Sequence, residues 1–245
     1  MINELANAHA LRIDEHAPGL LIGLHVTGSP ALGDYVPGVS DLDLVGVLSR
    51  EPTDEDLAAL AKAHAGTNVD AVYLLPQDLS GAAEDVPLRP WGRDGSLNTT
   101  EPANVTPVLW DQLNRYSITV RGDRPQASVT PQDVEAYCRT NLVEYWQPEL
   151  AEVDEALRGR APDAPVSTEA VLWVGLGPAR LWHTIRTGEI VGKTRAAELA
   201  AAHWPDLAAP LQDMLAARRG ERALTTAHGV AAVELCKRIL ADNPS

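Results

Sequence analysis

The chain has no phenylalanine, two cysteines, two methionines, and 20 lysines and arginines against 34 aspartates and glutamates. Each shortage closes off a class of protein. Without phenylalanine, the core of a 245-residue chain has to be filled by Leu, Val, Ala and its six tryptophans. Cys138 and Cys236 lie far apart with no C-x-x-C pair, which leaves neither a zinc ribbon nor a dithiol redox motif and predicts a reducing cytoplasm. The deficit of basic residues gives a formal charge of −14, whose field repels phosphate, so nucleic acid and anionic lipid are not expected partners. The same field attracts small cations. No stretch approaches the roughly 18 apolar residues of a membrane span. The opening residues carry Glu4, Asp14 and Glu15 in place of a basic segment followed by an apolar one, so no export signal is expected. The seven histidines show no H-E-x-x-H spacing, and no zinc site is predicted.

What remains is a globular composition, 45% apolar and 22% charged. A chain of this mass buries roughly 70% of its unfolded surface, enough for a core without disulfide or metal support. Its length suits two modest domains. Helical spacing over 2–16 ends at Pro18-Gly19, and the apolar run 20–26 reads as a buried strand. Gly28 to Ser40 holds too many Gly and Pro for a regular element and predicts a turn with a short irregular helix. Asp41 to Leu48 then alternates before turning wholly apolar, the pattern of a central strand whose start faces a cleft. Thr53 caps a helix that runs to Gly66, with the acidic residues before and within its first turn complementing the helix dipole. Val69 to Leu75 forms a third strand. Residues 77–107 read as loop bordering a site. From Thr130 the pattern is helical, with helices over 131–158, 167–186, 193–203, 206–218 and 223–242 forming an antiparallel bundle. Trp146, Trp173, Trp182 and Trp204 fall at core positions of these helices. The fold class is α+β: a mixed sheet with helices over 1–125, then an all-α bundle over 126–245.

The residues that carry chemistry are Gly28-Ser29, Asp41-Leu42-Asp43, and Asp70 in the third strand. Strand residues two apart point the same way, so Asp41 and Asp43 can clamp one cation, and magnesium, a hard cation, prefers carboxylate and phosphate oxygen. A Gly-Ser turn ahead of a helix offers N–H groups and a hydroxyl to nucleotide phosphates. Phosphoryl or nucleotidyl transfer is the chemistry indicated.

Gly28-Ser29 followed by Asp41-Leu42-Asp43-Leu44 resembles the signature of the polymerase β-like nucleotidyltransferase superfamily. The whole chain is similar to its aminoglycoside-nucleotidyltransferase branch, in particular the streptomycin/spectinomycin 3''-adenylyltransferases. That resemblance implies a nucleotidyltransferase domain, a C-terminal helical domain and an active site that closes between them. It implies Asp41, Asp43 and Asp70 as metal ligands, with Asp70, where the family has glutamate, as general base towards the substrate hydroxyl. Ala179-Arg180-Leu181-Trp182, Thr187-Gly188-Glu189-Ile190 and Lys193 resemble the family's helix and turn at the nucleotide phosphates, which makes Gly28, Ser29, Arg180 and Lys193 the nucleotide-binding candidates. The implied reaction is magnesium-dependent attack of a hydroxyl on the α-phosphorus of ATP, with pyrophosphate leaving. Trp91, Glu101, Asp163 and Glu169 stand near the acceptor by position only. The family's antibiotic-recognition residues have no clear counterparts here, so the acceptor is expected to be an aminoglycoside or aminocyclitol on the strength of charge and resemblance.

Two other readings stay open: nucleotidyl transfer to a protein side chain or another metabolite, and a non-catalytic nucleotide-binding protein. A monomer is expected.

Overall fold

The computed structural model describes residues 1–243 and divides into two compact units, Met1–Thr130 and Pro131–Ser245. Among the described residues no helix is long and apolar enough to cross a membrane.

The first unit is a mixed sheet with helices on both faces. Its elements run α1 (Ile2–His16), β1 (Leu21–Val26), the short α2 (Gly28–Ala31), β2 (Leu42–Leu48), α3 (Asp54–His64), β3 (Val69–Leu74), β4 (Trp91–Arg93), β5 (Ser96–Asn98), α4 (Pro107–Arg115) and β6 (Ile118–Arg121). The six strands lie in the order β5-β4-β3-β2-β1-β6; β2 and β3 are parallel and every other pair is antiparallel. Alternation along the strands sorts the two faces. Leu44, Ala71 and Tyr73 face Ala6, Ala10 and Ile13 of α1 and Leu60 of α3, while Val45, Val47, Val72 and Leu74 face Trp110 and Leu113 of α4. The α3 start is fixed by a capping box in which Thr53 and Asp56 each accept the other's backbone N–H.

The stretch 77–107 departs from the loop expectation. Trp91–Arg93 and Ser96–Asn98 pair as a hairpin, closed by Asp94 at φ 51° and Gly95 at φ 74°. Both turn residues being left-handed is the two-residue connection that Asp-Gly favours.

The second unit is helical: α5 (Pro131–Asn141), a π-helical segment Leu142–Trp146, α6 (Gln147–Leu157), α7 (Thr168–Thr187), α8 (Lys193–His203), α9 (Ala208–Arg218) and α10 (Thr226–Asp242). Its core joins Leu142, Trp146, Val174, Trp182, Met214 and Ile239. The π turn swings Trp146 onto Gly177, where any side chain would overlap the indole. Trp146 and Trp182 pack as expected, but Trp173 does not: it is 44% exposed, on the outer face of α7.

On the α1/α3 side of the sheet, the Tyr73 hydroxyl lies 2.8 Å from His9 Nε2 and 2.9 Å from His64 Nε2, all three residues being buried. The hydroxyl can donate to one ring and accept from the other, and the ring that accepts must be unprotonated at Nε2. Burial, reinforced by His64 and Arg12, lowers the His9 pKa to about 3, and burial lowers that of His64 to about 4. His25 on β1 is lowered to about 4 by burial and by Arg124. These groups take up protons in the unfolded chain near pH 6.5 and in the folded one only far below. Stability is therefore complete above about pH 6.5 and falls as pH drops, each histidine removing about 1.4 kcal/mol per pH unit until its folded pKa is reached. Urea unfolding of the first unit at pH 5.5 is expected at a clearly lower midpoint than at pH 7.5; equal midpoints contradict this account.

Candidate active site

The site grows from the loop between β1 and β2. The Thr27 N–H donates to the Asp43 carbonyl at 3.0 Å, which ties the end of β1 to the start of β2. Gly28 follows at φ +57°, and a Cβ there would land on the Asp43 carboxylate, so only glycine allows this side chain to lie across the turn. The Gly28 N–H donates to Gln112 Oε1 of α4 at 2.9 Å. The turn is closed by the Leu32 N–H on the Gly28 carbonyl at 3.1 Å and the Asp34 N–H on the Ser29 carbonyl at 2.8 Å. Within it the Ser29 hydroxyl is shut off from solvent and has no hydrogen-bond partner among the described residues. A buried hydroxyl left this way costs stability, and a ligand oxygen would satisfy it.

The parallel register sets Asp43 directly beside Asp70. Both share the parity of Val45 and Val72, so they sit on the α4 face of the sheet at the end of its buried layer. Asp41 precedes β2 rather than lying in it, yet one oxygen from each of Asp41, Asp43 and Asp70 falls within 4.8 Å of the others. Octahedral magnesium at about 2.1 Å places its ligand oxygens about 3 to 4.2 Å apart, so a closure of about 1 Å at most lets these three carboxylates supply half of such a shell. The donors are all hard oxygens, the buried Ser29 hydroxyl lacks a partner among the described residues, and Gly28 leaves the space that the Asp43 carboxylate fills. The residues fit a magnesium nucleotide.

Asp70 carries the counter-ion. Arg93 Nε on β4 donates to Asp70 Oδ2 at 2.6 Å, and the guanidinium sits 5.9 Å from the centre of the Trp91 ring. Burial raises the Asp70 pKa above the usual carboxylate range; Arg93 opposes that shift, while Asp41 and Asp94 add to it. Arg93 and Gln112 escaped the sequence reading. For Arg93 the available signal was the Asp94-Gly95 turn, which folds Trp91 and Arg93 back beside β3.

The other candidates divide between the units. Trp91 and Glu101 come together, the indole N–H donating to the Glu101 carbonyl at 3.1 Å. Asp163 and Glu169 are exposed on the helical unit. There, Arg180 Nε donates to the Val191 carbonyl at 3.2 Å, and Lys193, the first residue of α8, holds its ammonium 5.8 Å from the centre of the Trp173 ring.

No family model matches the chain, and no curated protein matches it. Among solved structures it is similar to the spectinomycin adenyltransferase AAD(9) from Enterococcus faecialis, solved with ATP and spectinomycin. The TM-score is 0.62 over 96% of this chain and 98% of that one, with 15% sequence identity. The likeness establishes the fold: an α+β nucleotidyltransferase-like unit with a helical C-terminal region.

Proposed function

We propose that the protein transfers AMP from magnesium-bound ATP to a hydroxyl of a small cationic acceptor, an aminoglycoside or aminocyclitol, and releases pyrophosphate. The observation that carries this reading is the meeting of Asp41, Asp43 and Asp70 beside the Gly28-Ser29 turn, whose serine hydroxyl lacks a partner. The similar AAD(9) structure, which holds ATP and spectinomycin, and the net charge of −14 support it.

Asp41 and Asp43 would hold the magnesium, with Asp70 close enough to add a third ligand. When bound, the metal neutralises charge that develops on the phosphates. Ser29 donates its hydroxyl to a phosphate oxygen. Gln112 holds the Gly28 N–H and keeps the turn in its left-handed form, so the contribution of Gly28 is space rather than a donor. Asp70 orients the acceptor hydroxyl and takes its proton as that oxygen bonds to the α-phosphorus and the α–β phosphoanhydride bond breaks. Its raised pKa moves it towards the range in which a base both accepts and returns a proton. Arg180 and Lys193 are assigned to the phosphates on resemblance alone.

The test is pyrophosphate release from Mg-ATP by the purified protein against a panel of aminoglycosides and aminocyclitols, with Asp43→Asn as blank. Release with one compound class is expected. ATP binding without release for any of them overturns the acceptor and points to a protein side chain, another metabolite or a binding function.

A further inference from the structure

Asp70, one of the three clustered carboxylates, is paired with Arg93. Its side chain is 14% exposed, whereas that of Arg93 is 59% exposed. Arg93 engages Asp70 through Nε alone, and its two terminal nitrogens hydrogen-bond no described residue. It projects from β4, next to the edge strand β5, from a hairpin whose backbone is fixed by the left-handed Asp94 and Gly95. The Gly92 position beneath it is held by the His64 ring, which occupies the space any Cβ would need. The strand is anchored while the guanidinium has solvent to swing into and the Trp91 ring to rest on.

Three carboxylates whose oxygens lie within 4.8 Å repel one another, and in the metal-free protein Arg93 offsets part of that repulsion. A divalent cation at the same cluster does this more strongly and repels the guanidinium, so the two positive groups compete for Asp70. We propose that Arg93 is a resident counter-ion that a divalent cation must displace from Asp70, so that Asp70 is released to act on an acceptor only once the cation is in place. The inference rests on the metal reading above and adds an order of events: cation first, proton acceptance second. Arg93 touches neither nucleotide nor acceptor in this scheme; it acts through Asp70.

The test is calorimetric titration of the full chain with Mn2+ alone. Removing a competitor strengthens binding, so Arg93→Gln is expected to bind Mn2+ roughly tenfold more tightly than the parent, the scale of one water-screened charge. Arg93→Ala is expected to change in the same direction. The magnesium concentration that half-saturates pyrophosphate release should fall by a similar factor. An arginine that merely supports the structure would give the opposite sign. Unchanged or weaker Mn2+ binding in both variants, while Asp43→Asn abolishes binding, overturns the counter-ion and leaves the metal site standing. No Mn2+ binding by the parent or by either Arg93 variant overturns both.

Discussion

Asp43→Asn is expected to lower AMP transfer by a factor of about 1,000 or more, while leaving the protein folded. The substitution keeps the shape of the side chain and every backbone contact at the position, including the Thr27 N–H on its carbonyl and the register with Asp70. What it removes is one negative charge from a cluster of three. In the metal-free fold that charge is repelled by the nearby carboxylates of Asp41 and Asp70. The same charge is what a hard divalent cation needs, and an amide oxygen is a far weaker ligand. Activity and stability should therefore move independently, which a folding defect cannot mimic. The measurements are pyrophosphate release and the thermal midpoint on the same preparation. Turnover within tenfold of the parent removes Asp43 from the metal site.

The readable part of the fold was the part dominated by periodicity and punctuation. The Pro18-Gly19 break, the apolar run into β1 and the Thr53 cap all lie where local chemistry decides the outcome. The helices of the second unit begin and end within a few residues of the sequence reading for the same reason: Gly188 and Gly220, for example, stop them in left-handed turns. Asp43 lies in β2 and Asp70 in β3, where the alternation and the apolar run place them, whereas Asp41 falls just before its strand. The β4–β5 hairpin was missed since three-residue strands leave too few positions for an alternation to register, although Asp94-Gly95 carried the turn signal. Arg93 followed it into obscurity: its pairing with Asp70 spans 23 residues and depends on that hairpin. Trp173 was misplaced because helical spacing gives a face but not which face is covered. The His9–Tyr73–His64 cluster lay beyond reach, since no local pattern marks two helices and a strand that meet at one hydroxyl.

Gly28→Ala is expected to reduce transfer at least about a hundredfold, for two separable reasons. The backbone at φ +57° disfavours any L side chain by about 1–2 kcal/mol. The added methyl also falls on the Asp43 carboxylate, so either Asp43 swings away from Asp41 and Asp70 or the turn unwinds and moves Ser29 with it. Gly33 separates the two contributions: it has φ +68° and nothing within 4 Å of where its Cβ would stand. Gly33→Ala carries the backbone penalty alone and should lose about 1–2 kcal/mol of stability with near-normal turnover. Gly28→Ala should lose at least as much stability and nearly all of its transfer, along with Mn2+ affinity, because the cation site itself is disturbed. If both variants turn over alike, the close approach of Gly28 to Asp43 is not what shapes the site. If only Gly28→Ala fails, the glycine of the Gly-Ser pair serves the metal carboxylate across from it as much as the phosphate beside it.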